Sequence, residues 1–318
     1  MSDLQKLLGY REPIFNASMA GAAGGAMAAA VSAAGGVGMI GVSPAPTAEW
    51  IKAQASHVSE IDTPWGVGFM GWALEADLSP LESFLEYGPS LVSISFGDVT
   101  RAAALAHEAG VLTAMQVGNA ADLERALQDD IDIVIARGGE GGGHGRNESG
   151  TLPLLQLACA QTQKPVIAAG GIGTAAGIAA VLAAGAEAAW IGTRFLSTKE
   201  ASGHENLKAA VRASGLDDTV YTRAFDIAQQ LPWAPEFGGR ALANDFSNRY
   251  ADDLVSLEAT EELRERMVRA RAEADVALAP VYAGQAVEFV QREETCAEVL
   301  AELGGFRRIL SDAAQRFA

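Results

Sequence analysis

Arg137-Gly138-Gly139-Glu140-Gly141-Gly142-Gly143-His144-Gly145-Arg146 follows directly on the apolar run Ile131-Asp132-Ile133-Val134-Ile135-Ala136. Six glycines leave four side chains on the stretch, and glycine is what a backbone needs to turn sharply or to approach a ligand closely. The preceding run reads as a buried strand of a parallel sheet. The stretch therefore places a histidine on a glycine-rich loop at the carboxyl end of a strand, the end where α/β sheets bind ligands. A flexible surface loop with a solvated histidine fits the same ten residues. The rest of the chain decides between the two.

Working outward, one unit repeats: a short apolar run, a Gly/Pro/Asn/Asp turn, then an Ala-rich helical stretch. Before the opening stretch the runs are Ile14–Ala17, Val37–Ile40, Val67–Phe69, Leu91–Ser95 and Leu112–Gln116; after it they are Pro165–Ala169 and Ala188–Ile191. Helices are expected near Ala26–Ala34, from Thr47 as N-cap to Val58, near Leu78–Glu86, at Thr100–Ala109 with Gly110 as the stop, at Ala120–Gln128 and at Ala175–Ala184. Eight such units in about 200 residues make an α/β fold, a (β/α)8 TIM barrel.

Past Thr198 the pattern breaks. Lys199 to Leu278 has few β-branched runs, turns around Pro232 and Pro235, and a charged amphipathic segment from Asp252 to Asp275 that reads as a solvated helix face. The expected division is a barrel of residues 1–200 plus about 279–318, with a smaller helical lid or substrate domain over about 201–278. The last helical region, from about Val287 to Arg316, is expected to pack back on the barrel.

The chain has 318 residues, 49% of them hydrophobic, enough to bury a large core. Its net charge of -17 repels a phosphate backbone and no Lys/Arg cluster offsets it, so nucleic acid is a poor partner. Cys159 and Cys296 lie far apart without neighbours at metal-ligand spacing, so no disulfide framework and no metal site are expected. No window has the length of apolar sequence a membrane span needs, and the expected location is cytoplasmic.

Ala168-Ala169-Gly170-Gly171-Ile172-Gly173-Thr174 joins the seventh strand to its helix, and Ile191-Gly192-Thr193-Arg194-Phe195 ends the eighth. In a barrel those two loops and the adjoining helix N-terminus form a phosphate site, because glycines expose N–H groups and the helix dipole favours an anion. Gly170-Gly171-Ile172-Gly173 also echoes a dinucleotide fingerprint, but in the wrong unit and spacing.

The order of motifs resembles the nitronate monooxygenase family, formerly the 2-nitropropane dioxygenases. The motifs are Pro13 to Gly21, Ala33 to Gly41, Glu140 to His144, Ala168 to Gly173, Gly192 to Leu196, Gly239-Arg240-Ala241 and Ala283-Gly284-Gln285, over about Pro13 to Val287. The resemblance implies a flavin barrel with FMN, its phosphate on Gly170, Gly171, Gly192 and Thr193, and Ala17, Ser18, Met19 and Ala20 beside the isoalloxazine ring. It implies further cofactor contacts from Gly68, Gln116, Arg137, Gly142, Gly143, Trp190 and Ile191. His144 is implied as the catalytic residue above the ring, a base toward nitroalkanes; an imidazole titrating near pH ~6.5 suits that task. The implied partners are a small-molecule nitronate or related anion and O2, with neither nucleic acid nor membrane; the sequence leaves open whether the chain forms a homodimer.

Two positions depart from the family pattern. Arg137 stands where relatives have Gln, and Gly68 where they have Asn. Gly68 removes a contact to the ring; Arg137 either brings a cation to the ring or an anionic substrate, or pairs with Glu140. The flavin-dependent enoyl-acyl carrier protein reductases look similar over the same motifs, and a flavin- or phosphate-binding protein without turnover is a third alternative. His57, His107 and His204 read as surface histidines, Trp65, Trp72, Trp190 and Trp233 as core or pocket aromatics, and Met19 and Phe195 as pocket candidates. Glu140 and Asp226 are candidate acids with no evident partner.

Overall fold

A computed structural model describes residues 2–317. Its strands are, in chain order, β1 (Ile14–Asn16), β2 (Gly38–Gly41), β3 (Trp65–Met70), β4 (Leu91–Ser95), β5 (Leu112–Val117), β6 (Ile133–Arg137), β7 (Gly143–Gly145), β8 (Val166–Ala169), β9 (Ala188–Ile191), β10 (Thr219–Thr222) and β11 (Gly238–Leu242). Eight of them pair in parallel in the order β1-β9-β8-β6-β5-β4-β3-β2, and a parallel bridge between Phe15 and Val37 joins the two ends into a ring. This is a (β/α)8 barrel, and all eight of its strands lie where the apolar runs placed them.

Because side chains alternate across a strand, each apolar run serves two cores. Phe15, Met39, Leu91, Ala114, Ile133, Ile135, Ile167 and Trp190 fill the barrel interior, while Ile14, Ile40, Val67, Val92, Val134, Ala168 and Ile191 pack outward against the helices. Tyr10 meets Phe15 edge-on at 5.4 Å and Trp190 stacks on Phe15 at 5.9 Å, so aromatic rings close the interior. A helix not expected from the sequence, Asp3–Leu8, adds Leu4 and Leu8 to that interior core.

The expected helices are present at Gly25–Ala33, Ala48–Ala55, Ser79–Leu85, Thr100–Glu108, Ala120–Gln128 and Ala175–Ala183. Thr47 caps the second through its side chain, and Gly110, at φ 72°, follows the fourth. The C-terminal helices Cys296–Leu303 and Phe306–Phe317 return to the barrel, the latter packing on Ala175–Ala183. Among the described residues no helix is long and apolar enough to cross a membrane.

The region 201–278 is not purely helical. It holds the helices Glu205–Ala213, Ala224–Gln229, Asp245–Tyr250 and Glu261–Ala272, but also β10 and β11, which pair antiparallel with each other. β11 in turn pairs antiparallel with β7, so the glycine-rich stretch after β6 is drawn into a second sheet. His144 therefore lies on a short strand and not on a loop. A strand written Gly-His-Gly has no periodicity to announce it; its partner supplies the order.

Candidate active site

Alternation along the strands decides what reaches the carboxyl mouth of the barrel. Ile133 and Ile135 face the interior, and so does Arg137, two residues on; the same parity brings Gln116 up from Ala114 on β5. The segment Ala17–Ala20 crosses the rim. A Cβ at Gly192 would meet Met19 Sδ at 3.3 Å and Ala17 Cβ at 3.4 Å, and one at Gly68 would collide with the Ser18 side chain. Ser18 thus occupies the space into which a side chain at position 68 would project. The Gln116 side-chain amide has no hydrogen bond among the described residues, while its backbone N–H donates to Ser95 Oγ at 3.1 Å.

Arg137 neither pairs with Glu140 nor opens onto the mouth. It is 3% exposed, and its guanidinium donates to the carbonyls of Gly141 (2.6 Å), Gly142 (3.1 Å), Gly143 (3.1 Å) and Arg146 (3.0 Å). A chain that turns on successive glycines directs several carbonyls to one side with few side chains to satisfy them, and a forked cation can serve them all. Burial pulls the Arg137 side chain down to about 10, still cationic at neutral pH. Arg240, on β11, does the same from the opposite side: Nε donates to Gly139 O at 2.7 Å and Nη2 to Asn147 Oδ1 at 2.8 Å. Glu140 turns away and accepts from Thr151 N and Oγ1 at the start of the helix Thr151–Gln161, where the helix dipole favours an anion.

His144 is held by the second sheet, opposite Gly239 on β11. Its Nε2 lies 2.8 Å from Oδ1 of Asp226, and its ring stacks on Trp233 at 3.7 Å and 5°. Tyr282 lies 5.1 Å away; burial, and then the charge of Asp226, push its phenol above the usual range. Trp233 meets Trp72 at 5.6 Å and Phe96 at 5.1 Å, the two aromatics that follow β3 and β4. Phe96 has φ 68°, a left-handed conformation that costs a bulky residue about 1–3 kcal/mol, strain of the sort found at functional sites. The Trp72 indole N–H is buried there without a partner.

Across the mouth the loops after β8 and β9 carry a different pattern. Among the described residues the backbone N–H groups of Gly170, Gly171, Ile172 and Gly173, and of Gly192, Thr193 and Arg194, have no acceptor in the protein. Gly170 and Gly171 have φ of 102° and 68°, conformations that suit glycine, and the helix Ala175–Ala183 starts directly after them. Thr193 Oγ1 accepts from Gly284 N at 2.9 Å, which leaves its hydroxyl proton to donate. Such a donor set suits a phosphate.

Other residues singled out in the sequence lie elsewhere. Trp190 is 5% exposed inside the barrel, Ile191 packs outward, and Phe195 is fully buried, so all three side chains are core. Strand parity puts Trp190 and Ile191 there on β9, and Phe195 follows in the short 3-10 turn Thr193–Phe195. Gly142 packs against the Ala283–Gly284 backbone, and Gly143, at φ 72°, has open space at its Cβ position. Asp226, Trp233 and Tyr282 join His144 from 82 or more residues away, with no local signal to link them.

The family model described as nitronate monooxygenase matches residues 74–304. A nitronate monooxygenase of Paraburkholderia phytofirmans is 30% identical, with 94% of this chain and 93% of the relative aligned. A (3aS,4S,5R,7aS)-5-hydroxy-7a-methyl-1-oxo-octahydro-1H-indene-4-carboxyl-CoA dehydrogenase of Mycobacterium tuberculosis is 32% identical over 226 residues, 70% of this chain but only 63% of that protein. The solved structure of FabK from Thermotoga maritima superposes with a TM-score of 0.85 at 27% identity, covering 99% of both chains.

Proposed function

The chain belongs to the nitronate monooxygenase family, and on that footing we propose that it is an FMN-dependent oxidoreductase that oxidises alkyl nitronates with O2, accepting nitroalkanes where His144 removes their α-proton. The observation that carries this reading is the row of seven unpaired N–H groups on the loops after β8 and β9, which fits the terminal phosphate of FMN. The rim segment Ala17–Ala20, packed closely on Gly41, Gly68 and Gly192, offers one flank for a flat ring, and the free amide of Gln116 suits its polar edge. Among the residues implied by resemblance, Trp190 and Ile191 are left to backbone contacts, and Arg137 supports the ring site through its own loop.

When bound, FMN supplies the oxidation and the reaction with O2. The protein's share is proton transfer, orientation and exclusion of water. A nitroalkane must lose a proton from the carbon next to the nitro group, and the electron pair of that C–H bond stays on the substrate as the nitronate; His144 is the base. A nitronate has already lost that proton, so for it the histidine serves only to position charge. Trp72, Phe96 and Trp233 wall the site on the side of His144. We assign the barrel to residues 1–200 with about 279–318, and the substrate side to about 201–278.

The same motifs resemble the flavin-dependent enoyl-acyl carrier protein reductases, and a second reading is an enzyme of that kind, which takes its electrons from NAD(P)H. An anaerobic titration of the flavin-loaded protein separates the two. Loss of the visible flavin absorbance on adding propyl-2-nitronate, with NADPH inert, is the expected result. Loss with NADPH alone moves the assignment to the reductase, and a chain that takes up no FMN sinks both.

A further inference from the structure

Asp226 is 2% exposed in the helix Ala224–Gln229, where Phe225 and Ala228 are core residues. Its Oδ1 meets His144 Nε2, and its Oδ2 is buried without a well-aligned hydrogen bond among the described residues. A buried carboxylate with one oxygen unsatisfied is costly, and a stability role does not account for it. The Tyr282 phenol lies beside it; Arg271, which donates to Gln229 Oε1, also acts on Tyr282, and Arg223 caps the start of the same helix with its Nε buried and without a partner among the described residues. None of them reaches Oδ2 in hydrogen-bonding geometry among the described residues, although the Tyr282 phenol lies near enough to feel the carboxylate.

We propose that Asp226 is a positioning residue that fixes the tautomer of His144, so that Nδ1 is the atom that takes the substrate proton. An ionised carboxylate only accepts, so the 2.8 Å contact requires the proton on Nε2 and leaves the lone pair on Nδ1. Nδ1 makes no hydrogen bond and, unlike Asp226 Oδ2, is not sealed from solvent. The parallel Trp233 ring at 3.7 Å and the pairing of β7 with β11 hold the imidazole plane while the carboxylate sets its protonation. When Nδ1 takes the carbon-bound proton, the C–H electron pair remains on the substrate as nitronate, and the imidazolium faces a carboxylate that stays ionised. The inference deepens the role proposed above for His144 and rests on it.

The test reads the tautomer directly, by imidazole nitrogen NMR of the 15N-labelled, flavin-loaded protein, with His144 assigned against His144→Gln. Wild type is expected to show the Nε2–H form; Asp226→Leu removes the acceptor and should lose that single form, and Asp226→Glu should restore it. In parallel, turnover of a nitroalkane should fall about 100-fold or more in Asp226→Leu and recover in part in Asp226→Glu, the scale of a lost general base. Turnover of the matching nitronate should change by less than about 3-fold, since it needs no proton removal. An Nδ1–H form in wild type, a tautomer unmoved by Asp226→Leu, or equal losses on both substrates overturns the proposal. Should Asp226→Leu not fold, the wild-type and Asp226→Glu spectra decide. If wild type turns over neither substrate, the proposed activity fails, and the spectra still report whether Asp226 sets the ring.

Discussion

The two glycine-rich parts of the barrel mouth are opposites in their hydrogen bonding. From Gly138 to Arg146 the backbone offers carbonyls, and two arginines satisfy them: Arg137 from inside the barrel and Arg240 from the second sheet. From Gly170 to Gly173 and from Gly192 to Arg194 the backbone offers N–H groups, and no atom of the described residues accepts from them. A buried backbone group must find a partner. Where the protein supplies it, glycine builds a scaffold; where it does not, glycine builds a receiver. By this measure the first stretch holds His144, and the second is left free for the phosphate proposed above.

The severest way to break the contrast is Arg137→Met. Four carbonyls lose a charge-assisted donor, that of Gly141 deep in the fold, and a leftover buried acceptor costs about 1–3 kcal/mol. The expected loss, by urea denaturation, is about 3 kcal/mol or more, with parallel loss of turnover as β7 loosens. A loss within about 0.5 kcal/mol, the range of an ordinary surface change, would mean that water satisfies the loop and Arg137 does not organise it.

Gly170→Ala strikes the receiver instead. At φ 102° the new Cβ would lie 2.8 Å from Thr151 Oγ1 and 2.9 Å from Gly138 O, so both strain and displacement follow. The stability cost is about 2 kcal/mol. The sharper readout is FMN affinity, expected to weaken at least about 10-fold by titration of flavin fluorescence, because moving the row of N–H groups by a fraction of an ångström misaligns several bonds at once. If affinity is unchanged, the phosphate is held elsewhere.

The contrast also explains what was legible in the sequence. Strand runs such as Leu91–Ser95 and Ala188–Ile191 carry their own apolar pattern, so the barrel could be read off them. The receiver was legible too, since its glycines sit beside a helix start in adjacent units. The scaffold was not. Arg137 stands two residues beyond Ile135 and reads as the first loop residue, but its side chain is turned inward by strand parity and its partners are backbone carbonyls, which leave no trace in residue types. β7 and the Asp226 contact depend on β11 and on a helix 82 positions downstream. Long-range pairing of short, glycine-rich or polar segments has no local period to reveal it, and the same holds for β10, four residues long, in a region read as helical.

The smallest expected effect is the most discriminating. Arg240→Gln removes the outer clamp: a Gln amide has the reach to keep one bond to the loop, at Gly139 O, while those to Thr219 Oγ1 and Asn147 Oδ1 are lost. These contacts are only partly buried, so water can replace them, and the loss should be about 1 kcal/mol. His144 keeps its place because the backbone register of β11, Gly238 to Gly145, Gly239 to His144 and Arg240 to Gly143, does not depend on the side chain. FMN affinity should stay within about 2-fold of wild type, since the unpaired N–H groups belong to other loops. The two stretches are not far apart: Gly170 lies against Gly138, and Thr193 accepts from Gly284, which itself packs on Gly142. A 10-fold loss of FMN affinity in Arg240→Gln would therefore show that these contacts couple them, so that scaffold and receiver order together when the cofactor binds. An unchanged affinity beside a measurable loss of stability would show that the barrel presents its phosphate site ready-made and that the arginines act on the histidine side alone.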